Sequence, residues 1–243
     1  MQKIIDLKSP LTTRDQTMSF LYHFVVSVLR KMNIYNKRNL NYSSVISSLI
    51  NDGKKETILD IGTGTGQIAN TLCKKEKGFI VGSDIDRRVF KHNRPRLFHS
   101  IVADAHHMPF KNEAFDTTLF ISCIEHLDHP STAIGEISRI TKQNGICITQ
   151  LPNLQWIMEP HTKFPFLYLM PYKLSSIIKK SSGYNSLNLN VTLSKVLSWF
   201  THSDFVNTHR KPIYHNLQIF KLLPWPPGWF LVFHKTYRKE CAL

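Results

Sequence analysis

The chain has 243 residues, of which 42% are hydrophobic and 20% charged, and a formal net charge of +14 from 31 Lys and Arg against 17 Asp and Glu. This length allows one domain or two small ones, and the apolar content is that of a globular protein with a sizeable core. Cys73, Cys123, Cys147 and Cys241 have no CxxC spacing, which argues against a disulfide framework or a zinc knuckle and suits a reducing compartment. In chain order, the first apolar run is Phe20 to Leu29. It sits behind a polar, partly acidic leader, contains His23 and is followed by no small-residue cleavage site, unlike a signal peptide. It is also too short to span a bilayer. Phe20, Leu21, Phe24, Val25, Val28, Leu29 and Met32 recur at helical spacing, which predicts an amphipathic helix.

Strands and helices then alternate. ETILDIG (56–62) reads as a strand, residues 66–75 as a helix with Ile68, Ala69 and Leu72 on one face, and GFIVGSD (78–84) as a second strand. A short helix (86–92), a strand (98–104) and a fourth strand (115–122) follow. DHPSTAIGEISRITKQNG predicts a helix capped by Asp128, opened by Pro130, with Lys142 in its last turn and Gly145 past its end. GICITQL (145–151) is the fifth strand. Such alternation implies a parallel sheet covered by helices on both faces. The segment Leu151 to Lys180 is apolar and aromatic, and Pro152, Pro160, Pro165 and Pro171 break it into short pieces.

In LDIGTGTGQIA (59–69) three glycines follow an acidic residue. The turn after the first strand of a parallel sheet lies where ligands bind, and glycine lets a ligand approach the backbone. The dehydrogenase spacing GxGxxG puts its third glycine at Gln67, and no GK[ST] follows, so both the dinucleotide fingerprint and the triphosphate loop are disfavoured.

Asp60-Ile61-Gly62-Thr63-Gly64-Thr65-Gly66 resembles motif I of class I S-adenosylmethionine-dependent methyltransferases. VGSDID (81–86), ADAHHMPFKNEAFD (103–116) and ISCIEHLDHP (121–130) resemble the next segments of that family in order. Together they are similar to the type-11 methyltransferase group, which includes enzymes of quinone biosynthesis. The likeness covers residues 56–151 well. It continues weakly through 192–205, similar to the usual late helix, and 229–235, similar to the final antiparallel strand. The resemblance implies a Rossmann-like, mostly parallel seven-stranded sheet with an antiparallel last strand. It implies one domain over 1–243, with residues 1–50 and 152–190 as cap or lid, 56–151 as cofactor-binding core and 191–243 as late helix and strands.

The resemblance also implies S-adenosylmethionine as cofactor. Asp84 would accept from the ribose hydroxyls, Asp104 from the adenine amino group beside the Ala105 amide, and Asp60 would help bind the methionine ammonium. Gly62, Gly64 and Gly66 would give room, with Thr63, Ile85 and Ser122 at the same strand ends as further contacts. His126 is placed as a base where the segment after strand four overlies the methyl group; a structural loop histidine is the competing reading. Quinone-pathway relatives carry ExxEH metal ligands here, but the first glutamate is replaced by Ser122, leaving Glu125 and His126, so no metal is expected. His106 and His107 read as surface residues. Glu159-Pro160-His161 is an acidic-plus-histidine group in an apolar, basic stretch, and His161 either deprotonates the acceptor or, with Glu159, anchors the segment.

Residues 144–243 hold 11 Lys and Arg against Glu159, Asp204 and Glu240 alone. Such a balance fits RNA, an anionic membrane surface or an incidental basic exterior, and no RGG repeat or zinc finger decides among them. The expected activity is methyl transfer to a small, apolar or lipid-linked acceptor by a cytoplasmic or membrane-peripheral enzyme. An RNA or protein methyltransferase and a catalytically silent partner-binding module are the alternatives. The intact Asp60, Asp84 and Asp104 argue against the silent module, and no NPPY-like motif for exocyclic amines follows strand four.

Overall fold

The computed structural model describes residues 17, 20, 22–24, 27, 42–50, 55–75, 77–92, 97–156, 159, 161–213 and 226–236. In chain order its elements are α1 (Tyr42–Leu49), β1 (Glu56–Ile61), α2 (Gln67–Lys74), β2 (Gly78–Asp84), α3 (Val89–His92), β3 (His99–Val102) and β4 (Phe115–Ile121). A 3-10 turn (Ile124–His126), α4 (Pro130–Ile140), β5 (Thr141–Pro152), α5 (Tyr172–Ser182), α6 (Leu193–His202), β6 (Phe205–Ile213) and β7 (Gly228–Lys235) follow. Contacts divide the chain into two compact units: Met1–Asn36 with Ile157–Asn185, and Lys37–Trp156 with Ser186–Leu243. Cys241 and the apolar residues Leu21, Val25, Val28, Leu29 and Met32 lie outside the described residues.

The larger unit holds one seven-stranded sheet in the order β3-β2-β1-β4-β5-β7-β6. β1 to β5 run parallel to one another, and β7 runs antiparallel to both β5 and β6. This is the expected Rossmann-like sheet with an antiparallel last strand. Both faces are covered, so apolar residues alternate between two cores rather than between core and water. Leu59, Ile61 and Phe120 face one side with Ile134 and Ile137 of α4 and Phe200 of α6. Ile58, Leu119, Ile121 and Ile148 face the other with Ile46 of α1 and Leu72 of α2. Phe200 stacks on Phe233 with ring centroids 3.9 Å apart, which joins α6 to β7.

The helix after β4 is shorter than its sequence predicts. Its N-cap is His129 rather than Asp128, without a side-chain cap, and it ends at Ile140. Thr141 already pairs with Phe115, while Thr117 pairs with Ile146, so residues 142–145 form a bulge. Asn144 takes the turn at φ 61°, and a Cβ on Gly145 would lie 2.8 Å from the Asp116 carbonyl oxygen. Lys142 therefore belongs to β5. Its Nζ donates to Asp116 at 2.8 Å, and Asp116 also accepts from the Thr57 amide (2.9 Å) and hydroxyl (2.6 Å). One carboxylate thus fastens the amino ends of β1, β4 and β5.

The smaller unit, taken by itself, has helical backbone at Thr17, Phe20, Tyr22, His23, Phe24 and Ser27. Phe20 and Phe24, expected on the buried face, are 73% and 58% exposed; Tyr22 is buried instead and stacks on Phe164. Over residues 159 and 161–183 the proline-punctuated segment has backbone hydrogen bonds that tie Glu159 to Lys163 and Phe164, a 3-10 turn (Leu167–Leu169) and α5, which starts after Pro171 and stops at Gly183 in the left-handed region. Among the described residues no helix is long and apolar enough to cross a membrane.

Candidate functional site

Strand order reverses between β1 and β4, and the crevice at the carboxyl ends of such strands is where this architecture binds ligands. The turn from β1 to α2 occupies that point. Its Thr63 amide donates to the Ser83 carbonyl at 2.9 Å, and the Gly66 amide to the Thr63 carbonyl at 2.8 Å. The three glycines do different jobs. A Cβ on Gly62 would lie 2.8 Å from Cys123 Sγ, and one on Gly66 2.5 Å from the Phe98 ring. At Gly64 (φ +50°) it would meet nothing nearer than 4.0 Å. Gly62 and Gly66 therefore accommodate the protein's own side chains, and the open side of the turn is at Gly64.

Three carboxylates end the first three strands. Asp60, 2% exposed, accepts from the Thr63 hydroxyl at 2.7 Å. Burial pushes its carboxyl up to about 7, and the charge of Asp84 adds to the shift, while Thr63 and the Ala69 amide oppose it. Asp84 accepts the Gly64 amide (3.0 Å) and the Asp86 amide (2.9 Å), one on each oxygen. Each carboxylate oxygen keeps capacity for a further donor. Beside it Ile85 is 65% exposed, an apolar side chain at the lip of β2. Asp104 Oδ1 takes both the His106 amide (2.9 Å) and His106 Nδ1 (2.7 Å). Partial burial works against the charge, yet these bonds hold the Asp104 carboxyl below its usual range. His106 is thus no simple surface residue: it braces Asp104, and its buried Nε2 has no partner among the described residues. His107 is exposed and Ala105 buried.

After β4, Ser122 adopts φ 49° and its hydroxyl donates to the Gln150 side-chain oxygen. Ile124–His126 form the 3-10 turn. Glu125 is buried and His126 half-buried; the His126 amide donates to the Cys123 carbonyl at 3.0 Å and its Nδ1 lies 3.4 Å from Ser186 Oγ. Burial, followed by the charges of Glu125, Asp84 and Asp60, pushes the Cys123 thiol up, which keeps it protonated. In the smaller unit, Glu159 is fully buried. It accepts the His161 amide (2.9 Å), His161 Nδ1 (2.7 Å) and the Thr162 amide (2.5 Å).

Sequence reasoning missed Cys123, Phe98 and Gln150. Phe98 lies against both Gly66 and Gly82, so the paired glycines were a usable signal. Nothing in the local sequence marks Gln150 as the partner of Ser122, because the two meet only through the pairing of β4 with β5.

Residues 59–149 match the type-11 family model described as a methyltransferase domain. The ubiquinone/menaquinone biosynthesis C-methyltransferase UbiE of Desulfotalea psychrophila is 26% identical over 165 residues, covering 63% of this chain and 67% of the relative. An uncharacterized protein of Methanocaldococcus jannaschii is 31% identical over 111 residues, 46% of this chain and about half (52%) of its own length. An S-adenosylmethionine-dependent methyltransferase structure from Mesorhizobium loti superposes with TM-score 0.61 at 11% identity, over 79% of this chain and 96% of that one. Residues 59–149 thus match a methyltransferase domain, and the fold is that of solved S-adenosylmethionine-dependent methyltransferases. Its donor set fits an adenosyl group: a carboxylate at the β2 end for a diol, exposed Ile85 for a flat ring, and the open turn at Gly64. The methyltransferase domain thus brings these features together at one end of its sheet, while Asp116 and Lys142 fasten the other.

Proposed function

We propose that this methyltransferase domain acts on a small, apolar acceptor, with an electron-rich ring carbon as the class of accepting atom. The observation that carries the size of the acceptor is a cavity of about 250 Å³ lined by Pro152, Asn153, Leu154, Gln155, Thr192 and Trp229, among others. It opens where β5 ends and β7 begins, at the same end of the sheet as the glycine turn. That volume is below the ~300–1,000 Å³ of drug-sized pockets, so it takes a ring or a short chain rather than a nucleic-acid strand. The naming of the Desulfotalea relative as a C-methyltransferase of quinone biosynthesis supports a ring carbon.

When bound, S-adenosylmethionine supplies an electrophilic methyl group on a sulfonium. In the proposed arrangement Asp84 accepts from the ribose hydroxyls and Ile85 covers the adenine. Asp104 and the Ala105 amide read the adenine edge, while Asp60 and the turn Gly62-Thr63-Gly64-Thr65-Gly66 hold the methionine end, and Ser122 borders it. The protein's main contribution is alignment: holding the acceptor ~3–3.5 Å from the methyl carbon in line supplies much of the rate. Methylation at a ring carbon leaves a proton to be removed, and His126 is proposed as its acceptor. His161 is the second candidate. With Nδ1–H donated to Glu159, its Nε2 is the proton-accepting nitrogen.

Calorimetric titration tests the cofactor site. Wild-type protein should bind S-adenosylmethionine and its demethylated product, and Asp84→Ala should weaken both by about 1.5–3 kcal/mol, the cost of losing a charge-assisted acceptor. Transfer of labelled methyl to a quinol analogue, with none to RNA or peptide, is expected. Labelling of RNA alone overturns the small-acceptor reading, and no binding by folded protein overturns the cofactor site. His126→Ala and His161→Ala should each be assayed for turnover at unchanged cofactor affinity; a variant with normal turnover removes that histidine from the chemistry.

A further inference from the structure

We infer that the segment 163–180 of the smaller unit is a docking surface for an anionic lipid bilayer. Among the described residues, Phe166, Leu169 and Tyr172 are 48%, 67% and 80% exposed, within a stretch of seven residues. Their outward setting is built in. Phe166 takes φ 54°, a conformation uncommon for a bulky residue, and the chain then buries Leu167 completely while Phe166 and Leu169 stand out on either side of it. Pro171 follows as the N-cap of α5 and places Tyr172 at the first helical position.

α5 continues the surface with charge. Ser175 and Ile178 are its buried residues. At 100° per residue, Lys173, Ser176 and Lys180 fall on the opposite face and Tyr172 on its flank, and Tyr172, Lys173 and Lys180 are exposed. From 161 to 185 the chain has Lys163, Lys173, Lys179 and Lys180 and no acidic residue. The one acid just before it, Glu159, is buried and bonded to His161. Exposed aromatic and aliphatic tips beside the exposed Lys173 and Lys180 are complementary to a headgroup layer over acyl chains: the apolar tips enter the interface and the ammonium groups meet its phosphates. Phe20 and Phe24, exposed in the same unit, add apolar surface of the same kind.

Cosedimentation of the full chain with vesicles tests this, using phosphatidylcholine alone and phosphatidylcholine with phosphatidylserine. The wild type should pellet with the anionic vesicles and retain a salt-resistant fraction at about 0.5 M NaCl, where screening leaves only close charge contacts. Phe166→Ser/Leu169→Ser/Tyr172→Ser should remove that fraction and weaken binding at least ~10-fold, and Lys173→Glu/Lys180→Glu should abolish the preference for anionic over neutral vesicles. All altered side chains are exposed, and an unchanged circular dichroism spectrum and resistance of the segment to proteolysis show that each variant is folded; a wild type that pellets without binding S-adenosylmethionine would sink the cofactor site and leave this surface intact. The inference is overturned if the wild type stays in the supernatant, if the triple serine variant pellets as well as the wild type, or if sedimentation velocity shows that the three side chains only hold a second copy of the chain. Binding to RNA with no binding to vesicles overturns it as well.

Discussion

Asp60 is a residue whose protonation folding changes near neutral pH. Its carboxyl, buried beside Asp84, titrates at about 7, against ~3.9 in an unfolded chain. A raised carboxyl binds its proton more tightly in the folded state, so the stability it contributes is full below about pH 4 and is lost as the pH rises through 7. Asp60→Asn should flatten the fall in stability between about pH 4 and 7, by ~2–4 kcal/mol across that window, as read from urea unfolding at several pH values. If the ammonium of the cofactor meets this carboxylate, binding releases a proton below pH 7 and affinity strengthens as the pH rises from about 6 to 8. Calorimetry in buffers of different ionisation enthalpy reads that proton directly. A second residue-scale prediction concerns Gly66, at φ +74° with Phe98 where its Cβ would stand. Gly66→Ala should cost about 1–3 kcal/mol through overpacking and backbone strain. Adding Phe98→Leu should recover part of that loss, whereas additive losses would separate the two residues.

At the scale of elements, the link between α4 and β7 is held by one buried lysine. Lys235 Nζ donates to the Ser138 carbonyl at 2.7 Å and the Thr141 carbonyl at 2.8 Å, a cation on one orphan carbonyl in the last turn of α4 and on the first carbonyl of β5. Lys235→Met keeps the apolar stem and removes the ammonium, and thermal unfolding should show a loss of about 1–3 kcal/mol with cofactor affinity unchanged. Asp116 plays the matching part at the amino ends of β1, β4 and β5. Its partial burial favours the neutral acid, but Lys142 and Thr57 outweigh that and hold the carboxyl at about 2. A depressed carboxyl contributes stability that is present above about pH 4 and lost as the pH falls through 2. Since Lys142 is partly exposed, solvent screening keeps the contribution near ~1 kcal/mol, so Asp116→Asn should shift the acid-unfolding midpoint only slightly. Both contacts were illegible in the sequence. Lys142 reads as the last turn of a helix because Gly145 looks like its stop. In the fold the helix ends at Ile140, because β4 demands a partner at Thr141 and strand pairing outweighs a local stop signal.

Across the larger unit, the groups proposed to hold the cofactor gather at one end of the sheet and the groups that fasten its strands at the other. Hydrogen exchange should therefore respond unevenly to S-adenosylhomocysteine. Amides of residues 62–66, 84–86, 104–106 and 122–126 should gain protection beyond the global stabilisation of ligand binding, and those of 56–57 and 141–142 should not. Uniform protection of both ends would detach the ligand from the proposed crevice.

The parallel sheet, the order of its first five strands along the chain and the three acidic strand ends were legible in the sequence, because each is a local pattern: apolar runs of strand length, glycines after an acid, and residue types at fixed spacing. The family resemblance rested on the same short runs and is strongest where they are densest, over residues 56–151. Only the tertiary structure decided which glycine stays open, that Asp104 shares its carboxylate with His106, that Ser122 answers to Gln150, and that Phe20 and Phe24 face outward. Each of these depends on a group that arrives from a distant part of the chain, or on an apolar face left without one. Periodicity in sequence determines which side chains share a face, and only packing determines what that face meets.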